Sequence, residues 1–194
     1  MLRRKSGENG FSYIDVMIAI VILMVGILAM LSALTASLIR SYETERSIIA
    51  KQMALSTIES IFSAKEIDGP GVPDGWDSIK NFTGGPAPDG IFLTGFNPVR
   101  EEAGWDGVAG TADDACAGAG TCTHPVSGVI NTSPVINNMQ RQILITDVDD
   151  PERPSPPNDV ARRRIDVTIR FSVNGLTRQV TSSTIITAYN SVRL

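Results

Sequence analysis

The sequence contains few of the residues from which most catalytic and metal sites are built. It has one histidine, His124, and two cysteines, and aromatic residues make up 6% of the chain. A structural zinc site needs four protein ligands, so these three residues would have to recruit carboxylates from elsewhere. His124 precedes Pro125 with no serine or cysteine nucleophile signature nearby, and the sequence has no P-loop, GxGxxG or HExxH motif. The sequence therefore predicts a protein that is not an enzyme, and an extracytoplasmic hydrolase is only a remote alternative.

Proline and charge are both missing from long stretches of the amino-terminal part. The first proline is Pro70, and the apolar run from Val16 to Leu34 carries no charged residue. At about 1.5 Å per residue, a helix over this run approaches the ~30 Å thickness of a bilayer's hydrocarbon core. The absence of proline also allows the helix to extend from about Ser12 to Lys65. The sequence predicts one membrane-spanning segment that continues into a longer helix.

The residues before the apolar run are basic. Arg3, Arg4 and Lys5 outnumber the one acid, Glu8, so we expect this end to stay in the cytoplasm while the rest of the chain is exported. The apolar run is longer than the 7–15 residues of a secretory signal core, and no A-x-A cleavage pattern closes it. The run is therefore predicted to be an anchor.

An acidic residue, Asp15, stands at the edge of the apolar run. An ionised side chain deep in a bilayer costs about 2.5–3.5 kcal/mol even on the gentler insertion scales, so its presence needs a reason. One interpretation places Asp15 near the interface, where it complements the positive end of the helix dipole. The other interpretation is that the carboxylate of Asp15 pairs with a group of opposite charge.

Gly10, Phe11, Ser12 and Asp15, followed by an unbroken apolar helix, together resemble the class III leader of type IV prepilins. The resemblance implies that a prepilin peptidase cleaves between Gly10 and Phe11 and methylates the new amine of Phe11. It also implies that the carboxylate of Asp15 pairs with the amino terminus of a neighbouring subunit during assembly. The family usually has glutamate at this place, and aspartate is one methylene shorter.

The resemblance predicts a minor type IV pilin, held first in the inner membrane and then polymerised through its helix into a pilus at the cell surface. The implied partners are other pilin subunits, the prepilin peptidase, the inner-membrane assembly platform and the lipid bilayer. Residues 50–61 also resemble V-class (pilus modification) minor pilins and I-type secretion pseudopilins. A pseudopilin of a type II secretion system is therefore the first alternative. A membrane-tethered binding domain that never polymerises is the second.

The middle of the chain is acidic. Residues 66–159 hold fifteen acidic and four basic residues, whereas residues 160–194 are basic on balance. Binding to nucleic acid generally requires a basic surface that displaces counterions from phosphates. No nucleic-acid partner is therefore expected.

The predicted fold class is α+β, a pilin-like arrangement in which the outer half of a long helix packs on an antiparallel sheet of about three to four strands. Residues 1–10 are predicted to be the cleaved leader and residues 11–40 the membrane and assembly helix. Residues 41–194 form the predicted globular domain, divided into an amphipathic helix (41–65), a loop-rich region (66–139) and a sheet (140–194).

The amphipathic part of the helix is predicted to face the sheet through apolar residues spaced three or four apart, namely Ile48, Ala54, Leu55, Ile58, Ile61 and Phe62. A β-hairpin is predicted from alternating residues Ile165–Val173, the turn Asn174-Gly175 and a return strand to Tyr189. A third strand is predicted over Gln140–Val148, and a short one around Ile91–Phe96.

Two local sites are predicted in the glycine-rich region. Cys116 and Cys122 are expected to form a disulfide if the domain lies outside the cytoplasm, and two free thiols are the alternative. Asp106, Asp113 and Asp114 lie in an acidic, glycine-bent loop whose oxygens suit Ca²⁺, although EF-hand spacing is not met. A solvated acidic turn is the alternative there. Two tryptophans, Trp76 and Trp105, are interpreted as anchors that hold loops to the sheet.

Overall fold

The computed structural model of the chain describes residues 12–66, 75–84, 89–104, 106–112, 122–123, 130–131, 133–156 and 158–188. The chain divides into two compact units, residues 1–44 and residues 45–194. The first unit contributes the amino-terminal part of a long helix, and the second combines the rest of that helix with an antiparallel sheet. The predicted α+β class is confirmed at this level.

The long helix, α1, runs from Tyr13 to Lys65, close to the predicted limits. It begins directly after Ser12 and ends just before the segment rich in glycine and proline. By length and composition α1 could cross a membrane, and its most apolar stretch contains no buried residue. This agrees with a single membrane-spanning segment.

Within the residues that the structure describes, the remaining elements are a one-turn helix, α2 (Gly75–Ser78), and six strands. Four strands form one antiparallel sheet in the order β1-β4-β5-β6, where β1 is Asn97–Arg100, β4 is Val135–Val148, β5 is Arg162–Val173 and β6 is Leu176–Thr187. Two short strands, β2 (Cys122–Thr123) and β3 (Ile130–Asn131), pair separately.

The predicted hairpin is present as β5 and β6. Val173 pairs with Leu176, and the two turn residues Asn174 and Gly175 both have positive φ angles, 50° and 78°. This is the turn geometry for which Asn-Gly is the preferred sequence, because it matches the twist of the flanking strands.

The predictions for the other strands were less accurate. The third predicted strand begins at Val135, five residues earlier than expected. The prediction of a short strand around residues 91–96 was wrong. Phe92 forms only an isolated bridge with Asn81, and β1 begins at Asn97. Gly95, with φ at 78°, turns the chain between Phe92 and the start of β1.

The core of the second unit lies between α1 and one face of the sheet. The helix contributes small and branched side chains, and β5 contributes alternate residues, so the buried set includes Ala50, Ala54, Ile58, Ile61, Ala64, Ile165, Val167, Ile169 and Phe171. The prediction that the helix faces the sheet through Ile48, Leu55 and Phe62 was wrong, because these side chains are 52%, 55% and 42% exposed. The alanines face the sheet instead because small side chains leave room for the strands' own bulky residues.

Two polar contacts hold the loop region to the sheet. The side-chain amide of Asn81 donates to the carbonyl of Ile143 and its oxygen accepts from the N–H of Ile145, both at 2.8 Å. The guanidinium of Arg163, which is 2% exposed, stacks on Trp76 at 4.3 Å and donates to the carbonyl of Trp76. Trp76 is thus an anchor, as predicted.

Candidate assembly helix and predicted ligand sites

The start of α1 is stabilised by Asp15. Its carboxylate accepts a hydrogen bond from the backbone N–H of Ser12 at 3.2 Å, and the N–H of Asp15 donates to the carbonyl of Ser12 at 3.0 Å. A third-position acid that bonds back to the first backbone N–H is one half of a capping box. The carboxylate therefore satisfies a helix-end donor that would otherwise have no partner within the helix.

This contact gives Asp15 a local role that does not need a second subunit. The Asp15 side chain is exposed and carries the negative charge that the amino end of a helix favours. Gly10 and Phe11, the predicted cleavage and methylation residues, lie outside the described residues. Pairing between Asp15 and a neighbouring Phe11 amine stays a prediction.

The outer half of α1 has a second apolar face, which the sheet does not cover. Ile48, Leu55 and Phe62 are spaced seven residues apart, so they project from the same side of the helix, and we call them the outward stripe. All three are at least 42% exposed, whereas Ala54 and Ile61, each one residue earlier than a stripe residue, are fully buried. The helix therefore presents apolar side chains on two sides.

The same seven-residue spacing occurs in the amino-terminal unit. Ile20, Ile27 and Leu34 are 48%, 51% and 57% exposed, but in this unit the neighbouring apolar side chains are exposed as well. A run of apolar residues at this spacing is typical of helices that pack lengthwise against other helices.

Comparison of the chain with family models, with curated proteins and with solved structures gave no match. The strongest of the candidate sites is the exposed apolar surface of α1, because the outward stripe is apolar, regularly spaced and left uncovered by the sheet.

Asp106 forms hydrogen bonds within the glycine-bent loop that is predicted to bind calcium. One of its carboxylate oxygens accepts from the N–H of Val108 at 2.7 Å, and the other accepts from the hydroxyl of Thr111 at 2.9 Å. The loop is fastened to α1, since the N–H of Ala109 donates to the hydroxyl of Ser60 at 3.2 Å. Both oxygens of Asp106 thus have a structural role within the protein.

The other two predicted calcium ligands, Asp113 and Asp114, lie outside the described residues. Within the part of the chain that the structure describes, no group of three or more histidine, cysteine or acidic side chains could hold a metal ion. The calcium site stays a prediction.

If calcium binds this loop, the melting temperature of the detergent-solubilised chain should be higher in millimolar calcium than in chelator. A ligand that binds only the folded form stabilises it by about 2.7 kcal/mol at a concentration of 100 Kd. Scanning calorimetry measures the difference. Asp113→Asn with Asp114→Asn is the matched control, because it should remove the calcium effect without breaking the hydrogen bonds of Asp106. Identical melting in calcium and chelator would contradict the prediction.

The predicted disulfide cannot be placed on the fold, because Cys116 and the side chain of Cys122 lie outside the described residues. Cys122 itself belongs to β2, whose partner strand is β3. Trp105 is likewise outside the described residues.

The outward stripe is the part of the candidate site that the sequence-based prediction placed on the wrong surface. Its seven-residue spacing is visible in the sequence, but both Leu55 and its buried neighbour Ala54 fit the three-to-four-residue repeat used to define the core face. The choice between them depends on which side of the helix the sheet approaches.

Proposed function

We propose that this chain is a minor type IV pilin, processed by prepilin peptidase and polymerised through its amino-terminal helix into a pilus. The observation that carries the proposal is the exposed apolar surface of α1. The helix is continuous from Tyr13 to Lys65, and its outer half packs on the sheet with one side while exposing the outward stripe on another.

A bilayer can cover only part of this surface. About 20 residues of helix cross the hydrocarbon core, and Phe62 follows Leu34 by 28 residues in the sequence. Lipid that covers the apolar run therefore does not reach the carboxyl-terminal end of the outward stripe. Exposed apolar residues in a regular pattern mark an interaction surface, and helices of neighbouring subunits would cover them along their whole length.

The proposal first predicts processing. Membrane-extracted protein from cells with an active prepilin peptidase should begin with N-methylated Phe11, because the leader ends at Gly10. Mass analysis of the amino-terminal peptide measures both the cleavage and the methyl group. Gly10→Ala should block cleavage, whereas Gly7→Ala, in the same leader, should be cleaved normally. Retention of Met1, or normal cleavage of the Gly10→Ala chain, would contradict the proposal.

The proposal next predicts that the charge of Asp15 matters for assembly. Asp15→Ala should be inserted and cleaved but excluded from filaments, since it lacks the carboxylate that pairs with a neighbouring amine. Asp15→Glu should be incorporated at least as well as the natural chain, because the longer acid has the family's usual reach. The amount of protein in sheared filaments, at matched membrane levels, measures the effect.

Asp15→Asn separates the two roles of this residue. Its amide oxygen can still accept from the N–H of Ser12, as the carboxylate does at 3.2 Å, but it carries no charge. If pairing selects the docking register, the Asn variant should resemble the Ala variant, because an opposite charge is worth more among packed helices than in water. Incorporation equal to that of Asp would show that the capping contact is the only role of Asp15.

A further inference from the structure

A recess opens at one end of the sheet, far along the chain from the features that support assembly. It has a volume of about 460 Å³ and lies between residues 135–140 of β4 and the end of the hairpin formed by β5 and β6. This volume is within the ~300–1,000 Å³ range of small-molecule sites. The recess is separate from the outward stripe, which belongs to α1.

A large bulge in β4 creates the recess. Pro98 pairs with Gln140, but Arg100, only two residues further along β1, pairs with Val135, so β4 has extra residues in this interval. Asn138 lies among them with φ at 62°, a left-handed conformation that is uncommon for a residue other than glycine. Pairing of β4 with β5 starts only at Met139, and the displaced backbone leaves the gap.

The polar side chains that line the recess are neutral except for one. They are amides, hydroxyls and a single guanidinium, from Asn137, Asn138, Gln140, Arg170, Ser172 and Thr177. No carboxylate occurs among the described lining residues. Bulges often lie next to binding sites because they redirect side chains, and here the bulge directs polar groups into a site with one positive charge.

The guanidinium of Arg170 is held in place by two contacts. It stacks on the ring of Phe96 at 3.9 Å, and its Nε donates to the side-chain oxygen of Gln140 at 3.1 Å, with a second bond from Nη2 to the same oxygen. An arginine has five N–H donors, so Gln140 satisfies one edge only. Within the described part of the chain, no acceptor bonds to Nη1. The remaining edge of the guanidinium, formed by Nη1 and the second N–H of Nη2, can bind the two oxygens of a carboxylate.

The geometry points to a binding site for an acidic saccharide, a sugar ring that carries a carboxylate. Arg170 would bind the carboxylate, and the amides and hydroxyls would bind the ring hydroxyls, since an amide offers both a donor and an acceptor. A carboxylate alone would leave most of the recess unfilled. A neutral sugar would leave the fixed guanidinium without an anion.

The test measures binding of glucuronate, glucose and acetate to the full-length chain in detergent micelles by saturation-transfer NMR. Glucuronate and glucose differ only in the carboxylate at C6. We expect glucuronate to bind with a Kd at least tenfold lower than the other two. Equal binding of glucuronate and glucose would overturn the role of Arg170, equal binding of acetate would overturn the saccharide class, and no binding of glucuronate at millimolar concentration would overturn the site.

Variants assign the binding to the recess. Arg170→Gln should remove the preference for glucuronate over glucose, whereas Arg164→Gln, an exposed arginine on the same strand outside the recess, should leave it unchanged. Asn138→Gly tolerates the positive φ and should keep the preference, but Asn138→Asp should weaken glucuronate binding at least tenfold through charge repulsion. If Arg170→Gln unfolds, the binding of glucuronate to the Asn138→Asp variant tests the proposal instead. A preference that survives Asn138→Asp, or that is lost in Arg164→Gln, would contradict the proposal.

Discussion

A chain that carries Phe62→Glu is expected to fold, insert and be cleaved normally but to be missing from filaments. The side chain of Phe62 is 42% exposed and lies outside the core, so a glutamate there remains in water in the free subunit. In an assembly that covers the outward stripe, the same glutamate would be buried among apolar side chains without a partner. An unpaired buried charge costs several kcal/mol, and 2.7 kcal/mol already corresponds to a hundredfold loss of binding. We therefore expect at least a hundredfold loss of incorporation.

Quantification of the protein in sheared filaments, relative to its level in membranes, measures this loss. Ser63→Glu is the matched control, because Ser63 is also exposed but points about 100° away around the helix. Leu55→Glu should reproduce the effect of Phe62→Glu one heptad earlier. Incorporation of Phe62→Glu at the natural level, or an equal loss with Ser63→Glu, would contradict assembly through the outward stripe.

A chain that carries Gly90→Ala is expected to be strongly destabilised in its second unit. A Cβ atom at this position would lie 2.0 Å from the carbonyl oxygen of Lys80 and 2.7 Å from the carbonyl carbon of Asn81. These are backbone atoms, and the N–H of Phe92 donates to that same Lys80 oxygen at 3.2 Å. Relief of the clash would separate two segments that Asn81 and the fully buried Phe92 hold in the core.

We expect Gly90→Ala to lower the free energy of unfolding by more than about 4 kcal/mol, the range reached by disruption of a packed core. Thermal unfolding of the detergent-solubilised chain, followed by near-ultraviolet circular dichroism, measures the change. Gly26→Ala is the control, because nothing lies within 4 Å of a Cβ atom there. A melting temperature for Gly90→Ala within a few degrees of the natural chain would contradict the prediction.

The elements that were predicted best depend on local signals. The long helix follows from the absence of proline before Pro70, and the hairpin follows from Asn174-Gly175 between two alternating runs. The start of β4 was missed because Asn137 and Asn138 are typical of turns. They do form an irregular segment, but as a bulge within the strand, where pairing with β1 continues on either side and pairing with β5 begins directly after it, at Met139.

The anchoring role of Trp76 was predicted, but the partners in the contacts that hold the loop region could not be predicted in the same way. Asn81 bonds to the backbone of β4 across a sequence separation of more than sixty residues. Trp76 contacts Arg163, which lies even further away in the sequence. Their side chains are ordinary loop and strand residues in the sequence. Only their position against the sheet gives them a partner.

The sequence by itself determined the long apolar helix, the hairpin and the α+β class, because each depends on the spacing of neighbouring residues and on the residues that backbone geometry excludes. The tertiary structure decided which side of α1 became core and which became the outward stripe. Ala54 and Leu55 are adjacent and both apolar, and the side on which the sheet could approach closely favoured the smaller residue. The tertiary structure alone also created the recess around Arg170, because its walls come from β1, β4 and the hairpin and meet only when the sheet has formed.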